Sequence, residues 1–228
     1  LQSHAINATV TSAAKGGVTN VFMGINGSDG AADKLASDWG MQREVFSKEG
    51  KYDRHSLMLK VENGIASVLV LGEHTNATFF GLASLEQMLD GDKSAMPAVA
   101  IYDYADLRDR GIVEGYYGYP YSVSVKKDLM HFMMRHKMNT YLYGAKSDPY
   151  HSNYWKDDYP ATITAEQEKN GWLSQQMVSE LSATSADTKV NFIWAIHPGN
   201  SFLGSNTAIS DIMGKFDKMY QHGVRQFA

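Results

Sequence analysis

Three short segments of the chain concentrate the residues that could do chemistry. Residues 114–121, 144–151 and 197–201 are rich in polar and aromatic side chains, and each lies at or just after the end of a predicted strand. Loops that follow parallel strands meet at one edge of a sheet, where active sites of α/β proteins are usually found. These segments are therefore the predicted site.

The side chains of these segments suit recognition of a neutral, polar ligand. The tyrosines of residues 116–121 could stack on a sugar ring, although packing inside the protein is the commoner role of tyrosine. Lys146 offers three donors to sugar hydroxyls, although a lysine in a loop is more often a solvated surface residue. On the residues alone, both interpretations stay open.

Other chemistries lack their sequence signatures. Asp157 and Asp158 are neighbouring carboxylates of the type used in glycoside hydrolysis, but they lie far beyond the preceding strand and indicate a surface loop. The eight histidines show no metal-ligand spacing, since His131 and His136 are five residues apart and point to different helix faces. The chain has no cysteine, which excludes thiolate catalysis, and no G-x-S-x-G elbow.

Composition narrows the class of partner. The 228 residues are 43% hydrophobic and carry a formal net charge of −4 without a long run of one sign, which does not favour nucleic acid or an anionic membrane. No apolar run reaches the length of a membrane span. A neutral substrate fits this balance better than a charged polymer.

The first part of the chain, residues 1–107, reads as a small α+β domain. Two strands around residues 57–61 and 65–71 flank Asn63-Gly64, the dipeptide that best tolerates the positive φ of a tight hairpin. Helical spacing of apolar residues is found at 31–39 and 79–89, and further strands are predicted at 18–25 and 98–102.

The second part, residues 108–228, alternates strands and helices, which predicts a parallel sheet. Strands are expected at 111–117, 140–143, 192–196 and 224–228, with helices at 125–137 and 209–220. A third helix should begin near Thr164 and Gln167, which have capping-box spacing, and carry Leu173, Met177 and Leu181 on one side. A doubly wound sheet and a (β/α)₈ barrel compete. The barrel is favoured because no G-x-G-x-x-G fingerprint is present, and residues 108–228 are about half of the roughly 250 residues of a full barrel.

Two long motifs in this half resemble glycoside hydrolase family 84, which includes β-N-acetylglucosaminidases, O-GlcNAcases and hyaluronidase-like enzymes. RGIVEGYYGYPY at residues 110–121 is similar to the family's RGVVEGFYGxPW, and MNTYLYGAKSDPYH at residues 138–151 is similar to NTYxYAPKDDPYH. WAIHPG at residues 194–199 and GVRQFA at residues 223–228 match the third and fourth strands of the family barrel. FFGLASLEQML at residues 79–89 resembles the small domain that precedes it.

The resemblance implies a small N-terminal α+β domain followed by the first half of a (β/α)₈ TIM barrel. It also implies that the sugar is held by the backbone of Gly115 and by Lys146, with Tyr117 beside the acetamido group. Family chemistry is substrate-assisted, because one aspartate orients the 2-acetamido group for attack on the anomeric carbon while its neighbour acts as general acid and base. No metal or organic cofactor is needed.

In the family the aspartate pair follows the fourth strand, so the catalytic residues are expected beyond Ala228 and none in the chain itself. We therefore expect the chain alone to be inactive, with N-acetylglucosamine-containing glycans or glycoproteins as substrates of the complete enzyme. A non-catalytic carbohydrate-binding or pseudoenzyme fragment is the alternative. Open strand edges predict self-association or pairing with the missing half of the barrel. The N-terminal resemblance also suggests secretion from a bacterium.

Overall fold

The computed structural model describes residues 7–90, 98–115 and 118–228. The chain divides into two compact units, the first ending at Arg108 and the second beginning at Asp109. Each unit combines helices with a sheet of four strands, so the fold is mixed α/β, as predicted.

The first unit contains one mixed sheet. The strands and α-helices of its described part are β1 (Asn20–Ile25), α1 (Ala31–Asp38), β2 (Tyr52–Glu62), β3 (Ile65–Gly72), α2 (Thr75–Leu89) and β4 (Val99–Ala105), and a 3₁₀ helix spans Glu44–Ser47. The strand order is β1-β3-β2-β4, in which β1 runs parallel to β3 while β2 is antiparallel to β3 and β4. The sheet therefore grows around the β2-β3 hairpin.

The predicted hairpin turn is confirmed. Glu62 pairs with Ile65, and the two residues between them, Asn63 and Gly64, have φ angles of +50° and +78°. Positive φ at both central residues matches the twist of the flanking strands. The Asn-Gly dipeptide therefore sets the register of the two longest strands.

Apolar side chains cover both faces of this sheet. Leu57 and Val70 pack with Leu85 of α2, whereas Leu69 and Leu71 pack with Ala36 of α1. Because successive side chains of a strand point to opposite faces, β3 supplies both layers. A methyl group added at Gly81 would lie 2.4 Å from Val70 Cγ1, so the glycine lets α2 lie directly on the strand.

The second unit contains one parallel sheet, in the order β5-β6-β7-β8. The strands and α-helices of its described part are β5 (Gly111–Glu114), α3 (Val123–Arg135), β6 (Thr140–Tyr143), α4 (Ala165–Lys169), α5 (Gln175–Thr188), β7 (Asn191–Trp194), α6 (Ala208–Gln221) and β8 (Gln226–Phe227), and two 3₁₀ helices span Pro149–His151 and Gly199–Phe202. The alternation of strands and helices agrees with the sequence-based expectation. Within the described residues, every helix falls short of the length and apolarity that crossing a membrane requires.

Three helices cover one face of the parallel sheet. Met130 of α3, Val178 of α5 and Met219 of α6 are fully buried in one cluster with the aromatic residues of the strands. The strand residues that pack there are Tyr141, Tyr143, Phe192 and Trp194. The opposite face is more open, and the Val113 side chain is 66% exposed.

The helix expected after Thr164 is two helices. Thr164 and Gln167 form the predicted capping box, but α4 ends at Lys169. Gly171 then takes a φ of +92°, a conformation that ends helices, and the Ser174 side chain caps a new helix, α5. The strand predicted at 111–117 also differs, because β5 ends at Glu114.

Candidate functional site

The parallel sheet brings the three predicted segments to one edge. Glu114, Tyr143 and Trp194 are the last residues of β5, β6 and β7 and are directly paired across the sheet. The pairing continues beyond the strands, since Gly144 N–H donates to the Glu114 carbonyl at 2.9 Å and Ala195 N–H donates to the Tyr143 carbonyl at 2.8 Å. The residues that follow these strands therefore lie side by side.

A buried ion pair lies under the first segment. The Glu114 carboxylate is 0% exposed, and its Oε1 lies 3.2 Å from Nζ of Lys126 on α3, which is 1% exposed. Tyr141 Oη donates to Glu114 Oε2 at 2.6 Å, and Tyr121 N–H donates to Oε1 at 3.3 Å. Lys126 Nζ also donates to the Tyr121 carbonyl. Burial lowers the pKa of Lys126, and the charge of Glu114 opposes that shift.

A second buried carboxylate lies under the second segment. Asp148 is 0% exposed and caps the short 3₁₀ helix Pro149–His151 by accepting Tyr150 N–H at 2.9 Å. Tyr143 Oη and Tyr159 Oη donate to its Oδ2 at 2.8 and 2.5 Å. Burial raises the pKa of Asp148, while the two phenol groups and the Tyr150 amide lower it. Burial also raises the pKa of both tyrosines well above the usual value.

A buried lysine completes this cluster. Lys215 of α6 is fully buried, donates to the Asp157 carbonyl, and places Nζ 4.8 Å from the Tyr159 ring centroid and 5.2 Å from that of Trp194. Burial lowers its pKa to about 8, although the charge of Asp148 acts in the opposite direction. Trp194 Nε1–H donates to Tyr159 Oη at 3.0 Å, which links the cluster to β7.

The predicted sugar-binding residues are more accessible than these groups. Lys146 is half-buried, and no hydrogen bond or ion pair joins its ammonium to another described residue. Gly115 is exposed, and among the described residues a methyl group added there would meet Val113 Cγ1 alone, at an ordinary 3.6 Å. Packing therefore does not explain the glycine. Tyr117 lies outside the described residues.

A buried histidine ends the segment that contains Lys146. His151 is 1% exposed, and its carbonyl accepts the N–H of His197 at 2.7 Å, which joins the second and third segments. Burial first, and then the charge of Lys146, lower the pKa of His151 to about 4. The imidazole is therefore neutral beside the lysine at physiological pH.

The alternative carboxylates have other partners. Asp158 accepts from Gln175 Nε2 at 3.2 Å, and its Oδ1 lies 2.9 Å from His222 Nε2. Asp157 is exposed. In the described ranges no group of three or more histidine, aspartate or glutamate side chains is arranged to hold a metal ion. The surface-loop interpretation of this pair is consistent with these contacts.

Sequence reasoning missed the two buried lysines. Lys126 lies four residues before Met130 in α3, and Lys215 lies four residues before Met219 in α6, so each shares a helix face with a fully buried methionine. A lysine at a core-facing helical position is the signal that could have identified them. The role of Asp148 could not be read in the same way, because Tyr159 reaches it from a separate loop.

Comparisons with known proteins agree with the motifs. The family model described as beta-N-acetylglucosaminidase matches residues 110–228. The chain is 32% identical over 155 residues to the protein named Protein O-GlcNAcase in Mus musculus and 33% identical over 119 residues to the one in Rattus norvegicus. These matches cover 64% and 52% of this chain but only 16% and 12% of the relatives.

A solved structure described as CpGH84D is similar over nearly the whole chain. The TM-score is 0.78 at 33% identity, with 95% of this chain and 35% of that one covered. This fold similarity and the family model, which spans more than half of the chain, together identify the class of protein as a glycosidase family. The chain belongs to glycoside hydrolase family 84, the β-N-acetylglucosaminidases, and it spans about a third of the length of this relative.

Proposed function

We propose that the protein is a retaining glycoside hydrolase that removes terminal β-linked N-acetylglucosamine from glycans or glycoproteins. Family membership supports cleavage of a bond to N-acetylglucosamine. The name of the mouse and rat relatives, Protein O-GlcNAcase, supports modified proteins as one class of substrate. The observation that carries the proposal is an open glycine backbone, Gly115, and a lysine without an ion-pair partner among the described residues, Lys146, at one edge of a parallel sheet.

The parallel sheet is, in this proposal, the first half of a (β/α)₈ barrel. Its order follows the chain from β5 to β8, as in a barrel, and the helices of the described part pack on the face that carries Tyr141, Tyr143, Phe192 and Trp194. The open face carries Val113 and the half-buried Leu142 and Ile193, which suit the interior of a barrel that further strands complete. The similarity to the larger CpGH84D structure supports the same interpretation.

The sugar is held by residues at the ends of the first two barrel strands. The Gly115 backbone can approach a sugar hydroxyl closely because glycine has no side chain of its own. The Lys146 ammonium donates hydrogen bonds to other hydroxyls, and Tyr117 lies beside the acetamido group. A hydrogen bond from a charged donor contributes about 1.5–3 kcal/mol, so Lys146 is the strongest single contact that this chain supplies.

The chemistry is substrate-assisted. Two adjacent aspartates, supplied by the chain beyond Ala228, have different roles: one orients the 2-acetamido group for attack on the anomeric carbon, and the other protonates the leaving oxygen and later activates water. The configuration at the anomeric carbon is retained without a protein nucleophile. The residues of this chain bind and orient the sugar.

Hydrolysis of a chromogenic β-N-acetylglucosaminide by the complete enzyme tests the proposal. We expect turnover of this substrate and none of the matching β-glucoside, which lacks the acetamido group. Lys146→Met should raise KM by about tenfold to a hundredfold, since it removes a charged donor. Lys127→Met, on the exposed side of α3 next to Glu180, is the matched control and should leave KM unchanged.

The outcomes separate the proposal from its alternative. Binding of N-acetylglucosamine without turnover would favour a carbohydrate-binding protein, and equal turnover of the β-glucoside would exclude substrate assistance. Activity of the 228-residue chain alone would show that the aspartates are not downstream.

The two edge strands of the parallel sheet predict how the chain assembles. In the described residues β5 and β8 each pair on one side only, so the 228-residue chain alone should self-associate, which sedimentation would detect as species larger than a monomer. A monomer that unfolds cooperatively would contradict the half-barrel. Secretion from a bacterium stays a prediction, and fractionation of the source culture would test it.

A further inference from the structure

The bond between Tyr143 and Asp148 closes a short turn. Tyr143 is the last residue of β6, and its phenol oxygen reaches the carboxylate of Asp148 five residues later, at 2.8 Å. Asp148 N–H also donates to the Ala145 carbonyl at 3.0 Å, inside the same turn. The four residues enclosed are 144–147, which include Lys146. The backbone on both sides of Lys146 is therefore tied to one buried carboxylate.

The same carboxylate is fixed from the opposite side. Tyr159 Oη, 11 residues further along, donates to Asp148 Oδ2 and accepts from Trp194 Nε1, the last residue of β7. Lys215 of α6 lies over the rings of both Tyr159 and Trp194. The turn is thus fixed to its own strand through Tyr143 and to a neighbouring strand and helix through Tyr159.

A stable core does not require this arrangement. A buried carboxylate loses several kcal/mol of hydration, and apolar residues of similar volume often replace buried charged groups without loss of stability. Unlike the apolar residues around it, Asp148 accepts three hydrogen bonds that together fix one conformation of the 144–147 turn. Positional control explains its burial better than stability does.

We propose that Asp148 is a positioning residue that, through Tyr143, holds the 144–147 turn so that Lys146 binds the substrate sugar. This inference rests on the proposed function, because it acts through the lysine assigned there to sugar binding. Tyr159 supports the carboxylate but does not close the turn. The two phenol groups therefore have separable effects, although both donate to the same oxygen atom.

Steady-state kinetics of the complete enzyme test this inference. Tyr143→Phe should raise KM about fivefold to tenfold with little change in kcat. The hydrogen bond between Lys146 and the sugar, which this variant weakens, is made equally in the ground and transition states. Tyr159→Phe should raise KM less than about threefold despite a similar loss of thermal stability. Asp148→Asn should have the largest effect on KM, since it removes the negative charge that accepts both phenol O–H groups and the Tyr150 N–H, and so weakens all three hydrogen bonds at once.

A double-mutant cycle isolates the route through Lys146. In a Lys146→Met background, Tyr143→Phe should change KM less than about twofold, because no ammonium remains to be positioned. Val178→Ala is the stability control: it removes buried methyl groups of α5 from the same core and should lower Tm without changing KM. A Tyr143→Phe effect that persists in the Lys146→Met background would overturn the inference.

Amide hydrogen exchange tests the turn independently of catalysis. Tyr143→Phe and Asp148→Asn should speed exchange at residues 145–148 more than Val178→Ala does. If the wild-type enzyme does not cleave the β-N-acetylglucosaminide, the proposed function fails, whereas the exchange result still tests the closure of the turn. Equal exchange in all three variants, with KM following Tm alone, would reduce Asp148 to a structural residue.

Discussion

The two units bury different kinds of side chain between sheet and helix. In the first unit, β2 and β3 present mainly leucine and valine to α1 and α2, alongside the buried His55 of β2 and the buried Asp33 of α1, whose partner Arg43 is partly exposed. In the second, the strands present tyrosine, phenylalanine and tryptophan, together with Glu114 and Asp148, to helices that carry Lys126 and Lys215. The polar groups lie under the strand ends where the candidate site is found. The comparison indicates that the second unit accepts costly buried charges where they fix the geometry of a site.

The largest effect should come from breaking the buried ion pair. Lys126→Met leaves the Glu114 carboxylate buried without its lysine, which should cost about 3–5 kcal/mol of unfolding free energy, measured by urea denaturation. Lys127→Met, next to it on α3 but partly exposed, should cost less than about 1 kcal/mol. Glu114→Gln combined with Lys126→Met should recover most of the loss. If it does not, the cost reflects packing and the contrast between the units is weaker.

Truncation of the aliphatic core should cost nearly as much, for a different reason. Leu57→Ala removes a fully buried side chain from the first unit and should lower the unfolding free energy by about 3 kcal/mol through lost burial and a residual cavity. Unlike the ion-pair effect, this loss should not depend on pH or salt. Val61→Ala, at a 48% exposed position of the same strand, is the control and should cost less than about 0.5 kcal/mol.

A buried histidine should make the second unit sensitive to acid. The pKa of His151 falls from 6.5 to about 4 in the folded state, so between these values the unfolded state binds a proton that the folded state does not. The unfolding free energy therefore keeps the full contribution of neutral His151 above about pH 6.5. It should fall by about 2–3 kcal/mol as the pH is lowered toward about 4. His151→Gln should remove this part of the slope in urea titrations, whereas exposed His131→Gln should keep it. An unchanged slope in His151→Gln would assign the acid sensitivity to other groups.

Local signals in the sequence were sufficient to predict much of the fold. Asn63-Gly64 set a hairpin that needs positive φ at two residues, and Thr164 with Gln167 formed the predicted capping box. The break at Gly171 was missed because the capping box at Thr164 was joined to the apolar spacing of Leu173, Met177 and Leu181, although all three lie after the glycine and α5 begins only at Gln175. Periodicity cannot report such a break, because it records which face is apolar and not whether the backbone is continuous.

The site was predictable only in part for a similar reason. The motifs around Gly115 and Lys146 are contiguous in sequence, so a resemblance could identify them. The Asp148 cluster is assembled from five separate elements. Its members, among them Tyr143, Tyr159 and Lys215, lie far apart along the chain, so no sequence motif contains them together. The helix predicted at 209–220 shows the same limit, because among its apolar residues Met219 is buried while Ile209 and Met213 are exposed. Tertiary contacts decide which apolar residues a helix buries.

The smallest effect should come from an ion pair in the first unit. Arg54 Nε donates to Glu73 Oε2 at 2.7 Å and Arg54 N–H donates to Oε1 at 3.0 Å, but the side chains are 24% and 19% exposed. Burial raises the pKa of Glu73, and the stronger opposing effect of Arg54 leaves it below the usual value. Its stabilisation is therefore present above about pH 4.5 and lost as the pH falls further.

Because water still reaches this pair, Glu73→Gln should cost only about 1 kcal/mol in urea denaturation, and less at high salt. The more exposed pair Lys51–Asp106 is the control, and Asp106→Asn should have a still smaller effect. A Glu73→Gln loss as large as that of Lys126→Met would contradict this contrast between the units, since burial would then not explain why charges matter more in the second unit. A small, salt-sensitive loss would support the contrast, because the large losses of unfolding free energy would then come from the charges enclosed beneath the strand ends of the second unit.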